Sequence, residues 1–205
     1  MTESGTTIDA GRLTHADRRD ALLDSAAALI AGGNPDAVTM DAVAEHAGVS
    51  RPLVYKHFAN RAELLEALYA RESQALHTHL SAAVAGAATL EDMFRALVRG
   101  SLEAQASRGA TFATLRAAGS RTDERRREQR RRDGTTLRFF MRAAIARFGL
   151  GEKEAQAGVA IMLGAIDSVL VSWRARPTRE HAALLEDTYV TLVMGGLGAL
   201  AAVTP

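Results

Sequence analysis

The sequence predicts an all-α protein. Almost every segment of its 205 residues repeats apolar positions at helical spacing rather than alternating them. Alanine and leucine dominate and β-branched runs are scarce, which favours helix over strand. The prolines agree: Pro35, Pro177 and Pro205 lie at joints or the end, and Pro52 follows Ser50 closely enough to occupy a first turn, where its missing N–H costs little.

Residues 1–13 have no apolar run after a basic start, which predicts a flexible tail and no signal peptide. The first helix begins at Thr14, whose spacing from Asp17 is that of a capping box, and runs through Leu22, Leu23, Ala26, Ala27 and Ile30 until Gly32 and Gly33 stop it. After the Asn34-Pro35-Asp36 turn, Thr39 is placed to cap a short helix that buries Val43 and Ala47 and ends at Gly48, which tolerates positive φ. Ser50 caps a third helix reaching Phe58. Asn60 caps a longer one that starts at Arg61, carries Leu64, Leu65, Leu68, Leu76 and Leu80, and ends near Gly86. Further helices are expected over 90–106, 109–118, 122–148, 152–175 and 179–203.

Composition narrows the chemistry. With no cysteine, disulfides, thiolate metal sites and a cysteine nucleophile are excluded, which suits a reducing cytosol, and a cytoplasmic location is expected. The apolar runs Val159–Trp173 and Val190–Val203 fall short of the roughly 18 residues of a membrane span, so no membrane partner is expected. The formal charge is +1, and the first 62 residues hold more acidic than basic side chains, so any site for a polyanion must arise from local placement.

Such placement occurs in "AGVSRPLVYKHFANR", residues 47–61, which carries three basic groups and no acidic one. From Thr39 to Phe58 the pattern is a short helix, a turn with one glycine and one buried valine, and a second helix with a capped start, the sequence form of a helix-turn-helix. Val54 and Phe58, four apart, share the inward face. Arg51, Pro52, Leu53, Tyr55, Lys56 and His57 are left outward. Arg51 could fork onto a guanine edge and Leu53 touch a thymine methyl. Tyr55, Lys56 and His57 can donate to phosphates, as can the Thr39 hydroxyl and the N–H groups that open the second helix. Arg61 extends that grip. The candidate DNA contacts are therefore Thr39, Ser50, Arg51, Pro52, Leu53, Tyr55, Lys56, His57 and Arg61.

The stretch "VTMDAVAEHAGVSRPLVYKHFANRAELL", Val38 to Leu65, resembles the DNA-binding domain of the TetR family of bacterial transcriptional regulators. Gly48, Val49, Ser50, Tyr55, His57, Phe58 and the basic Arg61 match the family pattern, with arginine where the family usually has lysine. The resemblance implies an N-terminal three-helix DNA-binding domain, here 14–62, and a larger helical effector-binding and dimerisation domain, here 63–205. It further implies a homodimeric repressor that leaves its operator when a small-molecule effector binds. The alternative is a helical small-molecule binding protein whose helix-turn-helix is only structural.

A dimer follows from the residues as well, because one helix-turn-helix contacts only a few base pairs and useful specificity needs two, about 34–36 Å apart or a multiple of that. The last two helices are apolar over more than one stripe, and their interface candidates are Ile166, Leu170, Trp173, Tyr189, Leu192, Val193 and Leu197. Gly195, Gly196, Gly198 and Ala199 would let helices approach closely, so two such pairs could form a four-helix bundle. A cavity for a hydrophobic or amphipathic effector could be enclosed by Met93, Phe94, Phe112, Leu115, Phe139 and Phe140, with Gln105 or Arg116 as a polar contact; ordinary core packing explains each residue singly. The arginine-rich run Arg121 to Gly134 is expected to be a solvated helix face, since Asp123 and Glu128 have ion-pair spacing to arginines three and four residues on.

No catalytic pattern appears. His15, His46, His57, His77, His79 and His181 are scattered, and no nucleophile elbow, phosphate loop or paired-histidine metal motif is present. Asp167, in an apolar run, is most simply explained by a partner across a dimer interface. Neither an enzyme, a metal site nor a cofactor is expected.

Overall fold

The computed structural model describes residues 14–31, 37–118 and 123–203, and of these the side chains except at 110–130 and 132–133. Among the described residues there are eight helices and no strand. The tail 1–13, the Gly32–Gly33 stop and the Asn34-Pro35-Asp36 turn lie outside them.

Helix α1 (His15–Ala31) opens with the reciprocal cap expected: the Asp17 N–H donates to Thr14 Oγ1 at 3.1 Å, and the Thr14 N–H donates to Asp17 Oδ2 at 3.1 Å. The Thr14 hydroxyl, donating to Asp17 Oδ2 at 2.7 Å, and then the Thr14 N–H stabilise the ionised form and hold the Asp17 carboxyl below its ordinary range. In α2 (Met40–His46) the Ala42 N–H donates to Thr39 Oγ1 at 3.1 Å. The helix ends as a Schellman motif: the Val49 N–H donates to the Ala44 carbonyl, the Gly48 N–H to the Glu45 carbonyl, and Gly48 sits at φ 64°. Helix α3 (Arg51–His57) has Ser50 at its cap position, but the serine hydroxyl makes no cap bond and only its carbonyl accepts, from the Leu53 N–H. Pro52 in the first turn removes an N–H that would otherwise need a partner.

Helix α4 (Arg61–Ala85) is capped by Asn60, whose Oδ1 accepts from the Glu63 N–H at 2.9 Å. It is followed by α5 (Leu90–Ala118), α6 (Asp123–Phe148), α7 (Glu152–Ala175) and α8 (Arg179–Val203). The expected break between 106 and 109 is absent. The Ser107 hydroxyl turns back to the Glu103 carbonyl at 2.9 Å, and one interior glycine, Gly109, costs only about 1 kcal/mol relative to alanine, too little to end a long helix.

Two compact units result. Among the described residues the first holds 14–31, 37–69 and 114–118, and the second holds 70–113 and 123–203. The division falls inside α4, because Leu64, Leu65 and Leu68 bury with Leu22, Leu23, Ile30, Val38, Val43, Val54 and Phe58 of the first unit. In the second unit, Phe94, Phe140 and Tyr189 make the aromatic centre, with ring centroids 4.6 Å apart for Phe94 and Phe140 and 6.2 Å for Phe94 and Tyr189. Gly100 permits close approach of α5 to α4: a Cβ there would lie 2.5 Å from Leu80 Cδ2.

Buried polar groups in this unit are paired. The Tyr189 hydroxyl donates to the Met162 carbonyl at 2.9 Å, while burial raises the phenol far above its usual pKa. The Glu186 carboxylate accepts two bonds from Arg99, at 2.6 and 3.0 Å, and one from Arg95 at 3.2 Å. With 24 and 25 residues, α7 and α8 are by length and composition able to cross a membrane, a length reached by adding flanking residues to the apolar runs. Each nevertheless buries its own stripe in this core, Ala155 and Val159 from α7 and Tyr189, Val190, Val193 and Leu197 from α8.

Candidate nucleic-acid interface

Two anchors fix the orientation of α3. Val54 and Phe58 are buried, and the Arg19 guanidinium lies 4.8 Å from the centre of the Phe58 ring, closing the far side. With that face turned inward, Arg51, Pro52, Tyr55 and Lys56 are exposed, while Leu53 and His57 are half-buried. Tyr55 is 43% exposed, a large aromatic left in solvent where the first unit's core could have taken a smaller residue.

Arg51 is held in place. It forms an ion pair with Asp41, with Nε 2.6 Å from Oδ1, and its Cζ lies 5.7 Å from the Tyr55 ring centre. A hydrogen bond to the Tyr55 side chain and the charge of Asp41 hold the guanidinium above its usual pKa. Thr39 Oγ1, having accepted the cap bond, keeps its own proton for an outward acceptor. The exposed surface of α3 thus offers an ordered guanidinium, an ammonium and a phenol, all donors, beside a hydroxyl at the start of α2. Donors of this kind on one short helix fit phosphate oxygens and base edges in a major groove.

Residues 22–68, which include all of α2 and α3, match the sequence profile of the family described as bacterial regulatory proteins, tetR family. That segment is a TetR-family DNA-binding domain. The family's helix-turn-helix domain thus stands near the N-terminus of an all-helical chain. The fold of the chain is similar to that of a TetR-like transcriptional regulator from Rhodococcus sp. RHA1, at 19% identity and TM-score 0.64, with 91% of this chain and 98% of that one covered. It is also similar to the fatty acid degradation regulator FadR from Bacillus halodurans, at 17% identity and TM-score 0.64, with 91% and 98% covered. A third similar structure is the transcriptional regulator FadR from Bacillus subtilis in complex with stearoyl-CoA, at 17% identity and TM-score 0.62, with 86% and 98% covered. No curated protein sequence matches the chain.

Two of the expected DNA contacts are placed differently in this TetR-family domain. Arg61 is half-buried, and its Nε donates to the Val38 carbonyl at 2.7 Å, so that side chain ties α4 to the entry of α2 rather than extending outward. The His57 ring packs on His15, with centroids 4.3 Å apart, and its Nδ1 is buried without a hydrogen-bond partner among the described residues. Burial first, then the neighbouring His15, Lys56, Arg19 and Arg18, lower the His57 pKa.

The sign of the resulting pH dependence is fixed. The fold favours neutral His57, so its contribution is complete above the ordinary histidine pKa of about 6.5 and is lost as pH falls through that value toward the lowered one. Urea midpoints should therefore drop between pH 7.5 and pH 5.5, and His57→Gln should flatten part of that drop.

The second unit redistributes the remaining candidates. Met93, Phe94 and Phe140 come together in the core, Phe139 is exposed, and Gln105 Oε1 accepts from Arg174 Nη1 at 3.2 Å. Phe112, Leu115 and Arg116, and most of the arginine-rich run, lie outside the described side chains. Of the expected interface residues, Leu192 is exposed, and Ile166, Leu170 and Trp173 are half-buried. Tyr189, Val193 and Leu197 are buried in the chain's own core, which leaves them no surface for a second copy. Among the described residues no group of three His, Asp or Glu side chains is placed to hold a metal.

Proposed function

We propose that the protein is a homodimeric repressor that grips operator DNA through α3 and is released by a small hydrophobic or amphipathic effector. The observation that carries this reading is the arrangement of α3, with Val54 and Phe58 inward and Arg51, Tyr55 and Lys56 outward. Arg51 reads a guanine edge, Leu53 meets a thymine methyl with its open side, and Lys56, Tyr55 and Thr39 grip phosphates.

The dimer forms through the faces of α7 and α8 turned away from their own core. Ile161, Val171, Leu184 and Leu192 are exposed there, and at Gly164 and Gly195 the space a Cβ would enter is open. An apolar surface of this kind rimmed by Asp167, Ser168 and Thr188 fits a second copy of itself. The effector site lies in the second unit near Met93, Phe94 and Phe140, with the Gln105–Arg174 pair as its polar contact. That a structurally similar regulator carries stearoyl-CoA supports a long-chain amphipathic ligand. Effector binding shifts the dimer to a geometry whose reading helices no longer match successive grooves, a coupling of about 1–3 kcal/mol.

A selected duplex and two substitutions test the reading. Arg51→Ala should cost about 1–3 kcal/mol and relax preference at one base pair, whereas Lys56→Ala should weaken all sequences alike and reduce the salt slope by about 1. Fluorescence anisotropy at several salt concentrations measures both. Unchanged binding in both variants would end the DNA assignment, and failure of long-chain acyl compounds to release the duplex would end the effector assignment.

A further inference from the structure

An acidic residue on the DNA-facing side of a helix-turn-helix is costly for binding, because it repels the phosphates that supply most of the affinity. Asp41 is such a residue. It lies in the first turn of α2, two positions after Thr39, and its side chain is 60% exposed. Solubility or the helix dipole would be served by an acid pointing anywhere from that turn. This carboxylate instead forms an ion pair with Arg51, its Oδ1 2.6 Å from Nε, across the turn that joins α2 to α3.

The choice of nitrogen matters. A guanidinium has five N–H donors, and the fork that addresses O6 and N7 of guanine uses donors at the two Nη atoms. An ion-pair partner beside Nε restrains the group without using the Nη donors. The Tyr55 ring, 5.7 Å from Cζ, restricts the remaining swing. Free arginine side chains lose much rotamer freedom on docking, and a side chain already fixed loses less.

We propose that Asp41 is a positioning residue for base recognition: it orders the Arg51 fork toward the major groove and sets the preference at the base pair that Arg51 reads, without touching the DNA. The assignment rests on Arg51 being a base-reading residue, as argued above. Asp41 weakens binding to DNA in general and sharpens discrimination at one position.

The test uses the full-length protein, a duplex enriched from random-sequence DNA by the wild type, and all its single-base-pair variants, with affinities measured at fixed salt. Asp41→Asn should reduce discrimination roughly three- to tenfold at the one base pair whose preference Arg51→Ala abolishes, and nowhere else. Affinity for unrelated DNA should rise. In an Arg51→Ala background, Asp41→Asn should change no base preference, and circular dichroism should show both variants folded.

If Arg51→Ala relaxes one position but Asp41→Asn leaves it sharp, or dulls every position equally, Asp41 does not position Arg51. A purely structural Asp41 would move the melting temperature while leaving the preference profile intact, which also overturns the proposal. If Arg51→Ala itself alters no preference, or no duplex is enriched, the base-reading role fails and the proposal goes with it.

Discussion

Phe58→Ala is expected to lower stability by about 3–5 kcal/mol and to abolish sequence-specific DNA binding. Phe58 is among the largest fully buried side chains of the chain and sits where α3 ends, its N–H donating to the Val54 carbonyl and Arg19 stacked over its ring. Removing the ring leaves a cavity between the reading helix and the helices that orient it. Since domains are stable by only about 5–15 kcal/mol, a loss of this size releases α3 even where secondary structure survives. Urea unfolding followed by circular dichroism gives the stability change, and anisotropy with the selected duplex gives the binding loss. Phe58→Leu, which keeps most of the volume, should cost less than about 1.5 kcal/mol and retain binding. A Phe58→Ala protein that still discriminates between base pairs would show that Val54 alone orients α3.

The features that were legible in the sequence act over three to five residues. The Thr14 cap, the Thr39 and Asn60 caps and the positive φ of Gly48 each depend on neighbours close in the chain, so spacing alone predicts them. The inward pair Val54 and Phe58 is equally local. What spacing did not reveal depends on partners far along the chain. Arg61 has the charge and position of a phosphate contact, yet its Nε meets the carbonyl of Val38, 23 residues earlier. His57 faces outward on a helical wheel, but His15, brought over it by the fold, covers one side. The Arg95, Arg99 and Glu186 cluster joins positions about 90 apart, which no helical pattern relates. Asp41 was hidden for a subtler reason: an acid in a first helical turn already has a local explanation in the dipole, so its bond to Arg51 ten residues later leaves no mark in the pattern.

Apolar patterning shows the same limit in α8. A helix apolar on several sides says that more than one face is covered, not which face meets the chain's own core. Glu186, Tyr189, Val190, Val193 and Leu197 turn out to form the inward stripe, spaced three and four apart. Leu184 and Leu192 fall off that stripe and stay in solvent.

That division makes two leucines of one helix behave oppositely. Leu192→Asp is expected to leave the helical content and melting behaviour of the chain nearly unchanged, since a side chain 67% exposed has little native packing to lose. In the proposed dimer the same carboxylate would be buried against the partner's apolar face without a counter-charge, a cost of several kcal/mol that dissociates the two copies. Two linked reading helices gain roughly 10²–10⁴ in avidity over one, so operator affinity should fall by at least about 100-fold while the single helix-turn-helix stays intact. Leu197→Asp, at a position fully buried in the chain's own core, should instead unfold the second unit. Sedimentation velocity across a concentration series separates these outcomes: a folded monomer for Leu192→Asp places the dimer on this face, and a folded dimer that binds the operator as the wild type does removes it from there.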